Sequence, residues 1–267
     1  MATYANEAIC LSPPTMTNLE RQQRELGRWI LGGNFATPNP AIEGEMAWST
    51  FAFREARSKI RYMGRLIHQS DKSYIKKVFN HVRYTGIKTN WIKKITSIDQ
   101  IYSKGTTRHK SKSSYEWNRI IKKEMNYIEQ ERWRTSISKR KSMGLYGSTK
   151  TEQTPVNIYK GDRASGLLFQ ARKGSLLTRK RLHDLNMIQS AACILCNTTD
   201  EEDIHHIAYE CPAIHSTRPE RLGISSLLGF DHETETVSEM KRHLIAWERA
   251  IKQASQPSTT TSAHPGD

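Results

Sequence analysis

Apolar residues recur every three or four positions along most of this chain, the spacing of a helix face rather than of a strand. The pattern predicts a first helix from Thr17, with Glu20 three residues on completing a capping box. Leu19, Leu26, Trp29 and Ile30 form its face, and Gly32-Gly33 stop it. A loop with Pro38 and Pro40 follows. A second helix opens near Ser49 or Thr50, with Phe53, Ala56, Ile60, Met63 and Ile67 on one side. Its outer side carries Arg54, Arg57, Lys59, Arg61 and Arg65. Asp71 is placed to cap a third helix, whose apolar face is Tyr74, Ile75, Val78, Phe79 and Val82 and which ends at Gly86. A fourth runs from Trp91 through Ile95, Ile98 and Ile101 to Gly105. Residues 105–114, GTTRHKSKSS, read as a flexible basic linker. The longest helix spans residues 114–141, aligning Trp117, Ile121, Met125 and Ile128 and placing Lys139-Arg140-Lys141 at its negative end.

A second linker, residues 144–155, separates a basic helical region, 1–143, from a region of different composition, 156–252. Short helices are expected there over 162–172 and 175–186. A last one opens at Thr236 with Glu239 in capping-box spacing, then carries Met240, Leu244, Trp247 and Ile251. Residues 253–267, rich in Ser, Thr and Pro, have nothing to bury and read as a disordered tail. The expected fold is mostly α, a helical bundle followed by a small module around the cysteines, at about 190–215.

Composition narrows the class. Gly 15, Pro 9 and Cys 4 in 267 residues exclude collagen and disulfide-rich mini-proteins. No apolar run approaches the roughly 18 residues of a membrane span. The first residues carry Asn6, Glu7, Pro13 and Pro14 where a signal peptide needs an apolar stretch. An intracellular protein is expected, nuclear or cytoplasmic, neither secreted nor bound to a membrane.

Charge changes the picture more. Residues 51–150 hold 25 Lys and Arg against 7 Asp and Glu, a net +18, whereas the rest of the chain is −4. Such a block attracts RNA or DNA, because phosphates neutralised by cations release condensed counterions. The expected phosphate contacts are Arg54, Arg57, Arg61, Arg65, Lys76, Lys77, Lys93, Lys94, Lys122 and Lys123. Tyr74, Phe79, Tyr84, Trp91, Tyr102, Tyr115, Trp117, Tyr127 and Trp133 are interleaved with them. Exposed, these rings stack on unpaired bases; at helical spacing with Ile and Val, they are core. An acidic protein partner or a solvated basic face is the alternative to nucleic acid.

Cys193, Cys196 and Cys211 lie within 19 residues, with His205 and His206 between them. Read with His206 the spacing is C-x2-C-x9-H-x4-C, four soft or imidazole donors for one tetrahedral zinc. With all four positions filled no site remains for a catalytic water, so the zinc is structural. A disulfide is the competing reading, weak for three clustered thiols beside two imidazoles. If 203–209 is helical, Ile204, Ile207 and Ala208 share a face that holds neither histidine, so helical phase does not choose between them. The helix must also break before Cys211-Pro212. The run Asp200, Glu201, Glu202, Asp203 imitates a metal site but precedes a helix start, where acidic residues are expected.

Two longer stretches carry a resemblance. NLERQQRELGRWIL at 18–31 with AIEGEMAWSTFAFREARSKIRYMGRL at 41–66 resembles the region after the polymerase palm in reverse transcriptases of non-LTR retrotransposons, of the tick-transposon type. SGLLFQARKGSLLTRKRLHD with CILCNTTDEEDIHHIAYECP is similar to that family's C-terminal zinc-binding segment. The similarity covers most of residues 4–252, in the right order. It implies a thumb-like bundle that clamps template and primer, followed by a CCHC zinc module that holds nucleic acid near the active site. Carried over, the ligands fall on Cys193, Cys196, His206 and Cys211, which settles the choice of histidine. The palm's paired aspartates for two-metal phosphoryl transfer are missing: the chain has no Asp-Asp step, and no proline is followed by Asp as in a PD-(D/E)xK nuclease. The expectation is a non-catalytic nucleic-acid-binding piece whose catalytic core lies upstream of Met1 or has been lost. The alternatives are part of an active polymerase when joined to that core, and a non-functional relic.

Overall fold

The computed structural model describes residues 5–102, 113–196, 198–220, 222–231 and 234–256. Regular structure among them is helical, with one isolated antiparallel bridge, Ala192 to Glu201. The mostly α class expected from periodicity is what forms. No described helix is long and apolar enough to cross a membrane. Most of the linker expected at 105–114, and the tail beyond residue 256, lie outside the described residues.

The chain divides into two units, Met1–Gly27 with Asn39–Arg140 and Thr151–Pro155, and Arg28–Pro38 with Lys141–Lys150 and Val156–Asp267. Residues 28–38 and 141–150 belong to the second unit.

Helix α1 (Pro13–Leu31), of which residues 13–27 belong to the first unit, starts earlier than Thr17. Ser12 Oγ accepts from the Thr15 N–H (3.3 Å), and Pro13 fills a first-turn position that needs no donor. Glu20 completes no capping box; its Oε1 accepts from the Ala52 N–H (3.2 Å), across the bundle. The expected proline loop contains a helix, α2 (Asn39–Met46), since Pro40 lies in the first turn, where its missing N–H costs no hydrogen bond. Thr50 caps α3 (Phe51–Ile67) through Phe53 N, as the Ser49/Thr50 start implied. Then come α4 (Tyr74–Tyr84), α5 (Asn90–Tyr102) and α6 (Ser114–Ser138), the last capped by Ser113.

The core joins Phe53, Ala56, Ile60 and Met63 of α3 to Ile95 and Ile98 of α5 and to Trp117, Ile121 and Met125 of α6. At Gly64 a Cβ would lie 2.1 Å from the Trp117 ring, so the indole lies directly on the α3 backbone. Helix α4 buries only Phe79; Tyr74, Ile75 and Val78, expected on its inner face, are exposed. Asp71 does not cap it but pairs with Lys76 (2.8 Å). Lys59, expected on the outer face of α3, is fully buried. Its Nζ donates to the carbonyls of Asn6 (2.9 Å) and Ile9 (2.6 Å) and lies 3.6 Å from Glu55, because residues 6–9 cover that side of the helix.

In the second unit, residues read as a linker form α7 (Gly144–Thr149), whose Tyr146 is buried edge-on to Phe230. Asp162 caps α8 (Arg163–Arg172) through Ser165 N (2.7 Å). The helix expected at 175–186 is shortened to α9 (Arg179–Asp184). Gly174 takes φ +69 and approaches the Ser142 carbonyl so closely that a Cβ would lie 1.9 Å from it, and Thr178 restarts the helix as cap. Then follow α10 (Ile224–Leu227) and α11 (Thr234–Ala254). Leu167, Leu168 and Ala171 of α8 join Val237, Met240, Leu244 and Trp247 of α11 in one core that continues into Cys193, Cys196 and Cys211.

Buried polar groups tie this unit together. Asn34 donates to Gln170 Oε1 (3.0 Å) and to the Ser175 carbonyl (2.7 Å), and Gln170 donates to the Gly32 carbonyl (2.7 Å). Lys173 Nζ donates to Thr37 Oγ1 (2.6 Å) and Ser175 Oγ (2.5 Å). Arg172 donates to the carbonyls of Leu228 and Gly229 and covers the Phe230 ring at 3.9 Å.

Candidate metal centre

The Cys193–Cys196 turn is held at its base by two backbone bonds, Cys193 N–H to Asp200 O (3.0 Å) and Glu202 N–H to Ala191 O (2.9 Å). The next segment enters as a helical turn at Ile204 and widens to a π-turn over His206–Glu210, where Cys211 N–H reaches back to His206 O (2.9 Å). Such a bulge is common at functional sites because it re-aims a side chain without ending the ladder. Pro212 then disfavours a helical conformation at Cys211, which sits at φ −58, ψ 114. The helix therefore breaks where a shared metal requires it to.

The widened turn separates the two histidines. His206 is buried and its Nε2 lies 3.4 Å from Cys196 Sγ. His205 is exposed, with its ring 4.8 Å from that of Tyr209 and its Nδ1 3.1 Å from Glu210. A regular helical phase puts neither histidine on the inner face; the π-turn is the local event that sequence periodicity does not contain.

The donor atoms of Cys193, Cys196, His206 and Cys211 lie within 4.8 Å of one another, and all four residues are buried. Cys193 and Cys211 sulfurs are 4.0 Å apart. A tetrahedron with Zn–S near 2.3 Å and Zn–N near 2.0 Å has S···S edges of about 3.8 Å and S···N edges of about 3.6 Å. The set fits zinc. All cysteines are free thiols, Cys10 included.

Electrostatics argue the same way. Burial pushes the Cys193 thiol up to about 12 and raises that of Cys211. Burial also opposes ionisation of Cys196, but hydrogen bonds from Thr198 and neighbouring donors, His206 among them, outweigh it and bring it to about 7. Three thiols closed into one pocket cannot all ionise without a cation among them, and a divalent ion supplies it. His206 Nδ1 is buried without an aligned hydrogen bond, and Glu210 Oε2 stands 3.4 Å away. A carboxylate on the far imidazole nitrogen is the usual orienting partner of a metal-bound histidine.

Two neighbours were hidden in the sequence. Glu202, part of an acidic run expected to be solvated, is buried; burial raises its pKa, and it accepts from Arg179 N (3.1 Å) at the start of α9. Side chains alternate at the bridge, so Glu201 faces out and Glu202 in. Asp203 Oδ1 accepts from His206 N (2.8 Å). His243, fully buried on α11, bonds Ile207 O through Nε2 (2.7 Å) and Thr217 Oγ1 through Nδ1 (2.9 Å), which braces the π-turn. It shares the 240, 244, 247 face of α11, a signal present in the spacing.

The expected phosphate contacts separate into two groups in the first unit. Arg61, Lys77, Lys93, Lys122 and Lys123 are exposed and have no ion-pair partner among the described residues. Arg65 is exposed but pairs with Glu7 (2.9 Å). Lys76 and Lys94 are half-buried and paired, with Asp71 and with Glu55 (3.3 Å). Arg54 and Arg57 are half-buried, and burial lowers the pKa of each; Arg54 covers the Phe51 ring and donates to Gln23. The aromatics divide between core and surface. Trp117, Trp133 and Phe79 are core, Trp91 donates to the Glu7 carbonyl and Tyr102 packs on Phe53, whereas Tyr74, Tyr84, Tyr115 and Tyr127 are exposed.

Residues 159–217 match a family model described as zinc-binding in reverse transcriptase. This part of the chain is similar to a reverse transcriptase-related zinc domain, and its buried Cys3His group is compatible with a zinc ion. No curated protein and no solved structure matches the chain.

Proposed function

We propose that the chain is a nucleic-acid-binding piece of a non-LTR retrotransposon reverse transcriptase, of the tick-transposon type, with one structural zinc and no catalysis of its own. The observation that carries the proposal is the buried Cys3His group inside the segment that matches the zinc-binding family. Zinc would be held by Cys193, Cys196, His206 and Cys211, and when bound it neutralises the thiolates and cross-links the turn to the start of the 212–217 segment. The first unit acts as a thumb-like clamp, its exposed cations meeting phosphates and its tyrosines available to unpaired bases. RNA and DNA are both partners in this reading, as is a polymerase core. The absence of any Asp-Asp step in the chain supports assigning phosphoryl transfer elsewhere.

Two measurements test it. Native protein should carry one zinc per chain; metal content near zero removes the metal part. Affinity for duplex or single strand should fall log-linearly with salt, and replacing Arg61, Lys77, Lys93, Lys122 and Lys123 together by Gln should flatten the slope by about 0.9 per lost duplex contact. Salt-insensitive binding, or none, removes the rest. Template-dependent nucleotide incorporation by the purified chain would overturn the non-catalytic assignment.

A further inference from the structure

Helix α4 is short of burial. Its apolar positions Ile75, Val78, Phe79 and Val82 recur at i, i+3, i+4 and i+7, the stripe of a helix that packs on a core. Phe79 is 7% exposed, but Ile75 and Val78 are 54% and 46% exposed. The stripe faces a groove of about 270 Å³ within the first unit, walled on its other sides by Leu66 of α3 and Ile92 of α5. Two turns, about 10 Å, separate Ile75 from Val82. That length matches the reach of anchors at i, i+3, i+4 and i+7 on one docking helix.

The rim is cationic. From Lys72 to Lys94 the chain carries seven lysines and arginines and no carboxylate. Lys76 is paired with Asp71, and Arg65, over the Tyr62 ring, with Glu7. Arg83 lies 5.8 Å from the centre of the Phe79 ring, and Lys88 and Lys93 adjoin the lining residues Thr89 and Ile92. These three have no carboxylate partner among the described residues. An apolar stripe flanked by Asp or Glu complements both the floor and the rim. A nucleic-acid strand does not. Aliphatic side chains offer phosphate no donor, and the rings of Tyr62 and Phe79 pack edge-on against Trp91 at 6.0 and 6.2 Å, with the Trp91 N–H given to the Glu7 carbonyl (2.7 Å). Lys77, assigned above to phosphate, lies about 200° round α4 from Ile75, away from the groove.

We infer that this groove docks an acidic amphipathic helix of a protein partner, its apolar anchors on Ile75, Val78 and Ile92 and its carboxylates against Arg83 and Lys88. The inference goes beyond nucleic-acid binding and does not depend on it. The floor supplies affinity, because docking buries the exposed half of two aliphatic side chains. The rim supplies selection, since it speeds the approach of an acidic helix and repels a basic one.

The test uses the full zinc-loaded chain and a fluorescent peptide of about 20 residues, long enough to hold a helix. It carries leucines at i, i+3, i+4 and i+7 and glutamates on its other faces. A second peptide has lysine for each glutamate, and a third has serine for each leucine. The acidic peptide should bind and move the amide signals of Ile75, Val78, Val82 and Ile92, and the other two should bind about tenfold more weakly. Ile75→Ser with Val78→Ser should weaken it about tenfold by removing the apolar contact, and because both positions are exposed the fold and zinc content should be kept. Arg83→Gln with Lys88→Gln should weaken it about threefold at low salt and reduce its salt dependence. Lys93 is left in place because the phosphate contacts share it. Equal binding by the lysine peptide, shifts away from α4, or no effect of the Ile75 and Val78 pair overturns the site. An oligonucleotide that moves the same four signals also overturns it, as does a concentration-dependent dimer of the free chain that the Ile75 and Val78 pair abolishes, since each names another occupant. Retention on nucleic acid through Arg61, Lys77, Lys93, Lys122 and Lys123 is read separately, and its loss removes the clamp and leaves the groove.

Discussion

The most buried large side chains of the first unit include Trp133, Ile60, Ile121 and Met125; those of the second include Arg172 and Lys173, with His206 and His243 almost as deep. Both units are helical, each has an apolar core and each buries charge, Lys59 in the first and Arg172 and Lys173 in the second; what the second adds is a buried Cys3His group. The first unit also contains buried charges, paired both within a helix and between distant segments. Arg132 shows this: burial opposes its charge, and bonds to Glu129 and Glu43 outweigh that and raise its pKa. In the second unit the polar groups connect segments far apart in sequence, such as Asn34 to Ser175 and His243 to Ile207. A core made of interchangeable dispersion contacts loses stability gradually. A core that depends on satisfied donors and a metal set loses it in steps, because each orphaned group carries its full desolvation cost.

Metal removal should separate the two most sharply. Structural zinc in small modules contributes about 10–16 kcal/mol of apparent binding energy, which is folding energy. Chelation should therefore abolish amide protection around His206–Glu210 and in α8 and α11, while α3, α5 and α6 keep theirs. His206→Ala should do the same without chelator. Equal loss in both units by hydrogen exchange would erase the distinction.

The reciprocal experiment is Trp117→Ala. It should cost about 3–5 kcal/mol, the range for deleting a large aromatic from a packed core. Gly64→Ala attacks the same contact from the other side, since its Cβ would lie 2.1 Å from the indole. Both should lower the protection of α3 and α6 and leave zinc stoichiometry at its native value. Zinc loss in either variant would mean that the units fold as one.

These effects differ in how far the sequence announced them. In the first unit, helices α3 and α6 follow the three- and four-residue spacing closely, and Thr50 caps where its position says it should, whereas α2 and the exposed face of α4 do not follow it. What failed there was long-range: Glu20 and Lys59 have short-range readings as cap and outer-face residue, but their partners, Ala52 N and the carbonyls of Asn6 and Ile9, lie about 30 to 50 residues away. In the second unit the ligand spacing was legible, whereas the device that aims His206 was not. A π-turn adds one residue to a helical repeat, and no periodicity sums to it. Lys173 and Glu202 escaped notice for a related reason. Charged residues read as solvated until the partners that satisfy them are known.

Proton linkage gives a smaller and more graded contrast. Lys173 has a pKa of about 6 in the fold against an ordinary value of 10.5. Between those values the unfolded chain binds the extra proton, so stability of the second unit should rise with pH across that window, by about 1.4 kcal/mol per pH unit at most. His243 acts at lower pH. Burial lowers its pKa, so its contribution is intact above about 6.5 and is lost as pH falls and the unfolded state takes up the proton first. Urea unfolding of Lys173→Met followed by exchange at pH 7 and 9 should flatten the upper slope. An unchanged slope would mean that Lys173 remains charged in the fold.

The smallest expected effect discriminates most finely, because it concerns adjacent residues of one type. His205 is exposed, and its contacts with Tyr209 and Glu210 lie at the surface. His205→Ala should change stability by no more than about 0.5 kcal/mol, as for most exposed positions without a special role. Glu210→Gln falls between the two histidines in its effect. It leaves the four donors in place but removes the carboxylate 3.4 Å from His206 Nδ1, so zinc should be retained with about tenfold weaker affinity. Competition with a chromophoric chelator ranks the three variants, and the expected order of metal loss is His206→Ala, then Glu210→Gln, then His205→Ala. A reversal of the two histidines would mean that the π-turn does not aim His206 at the cysteines in solution.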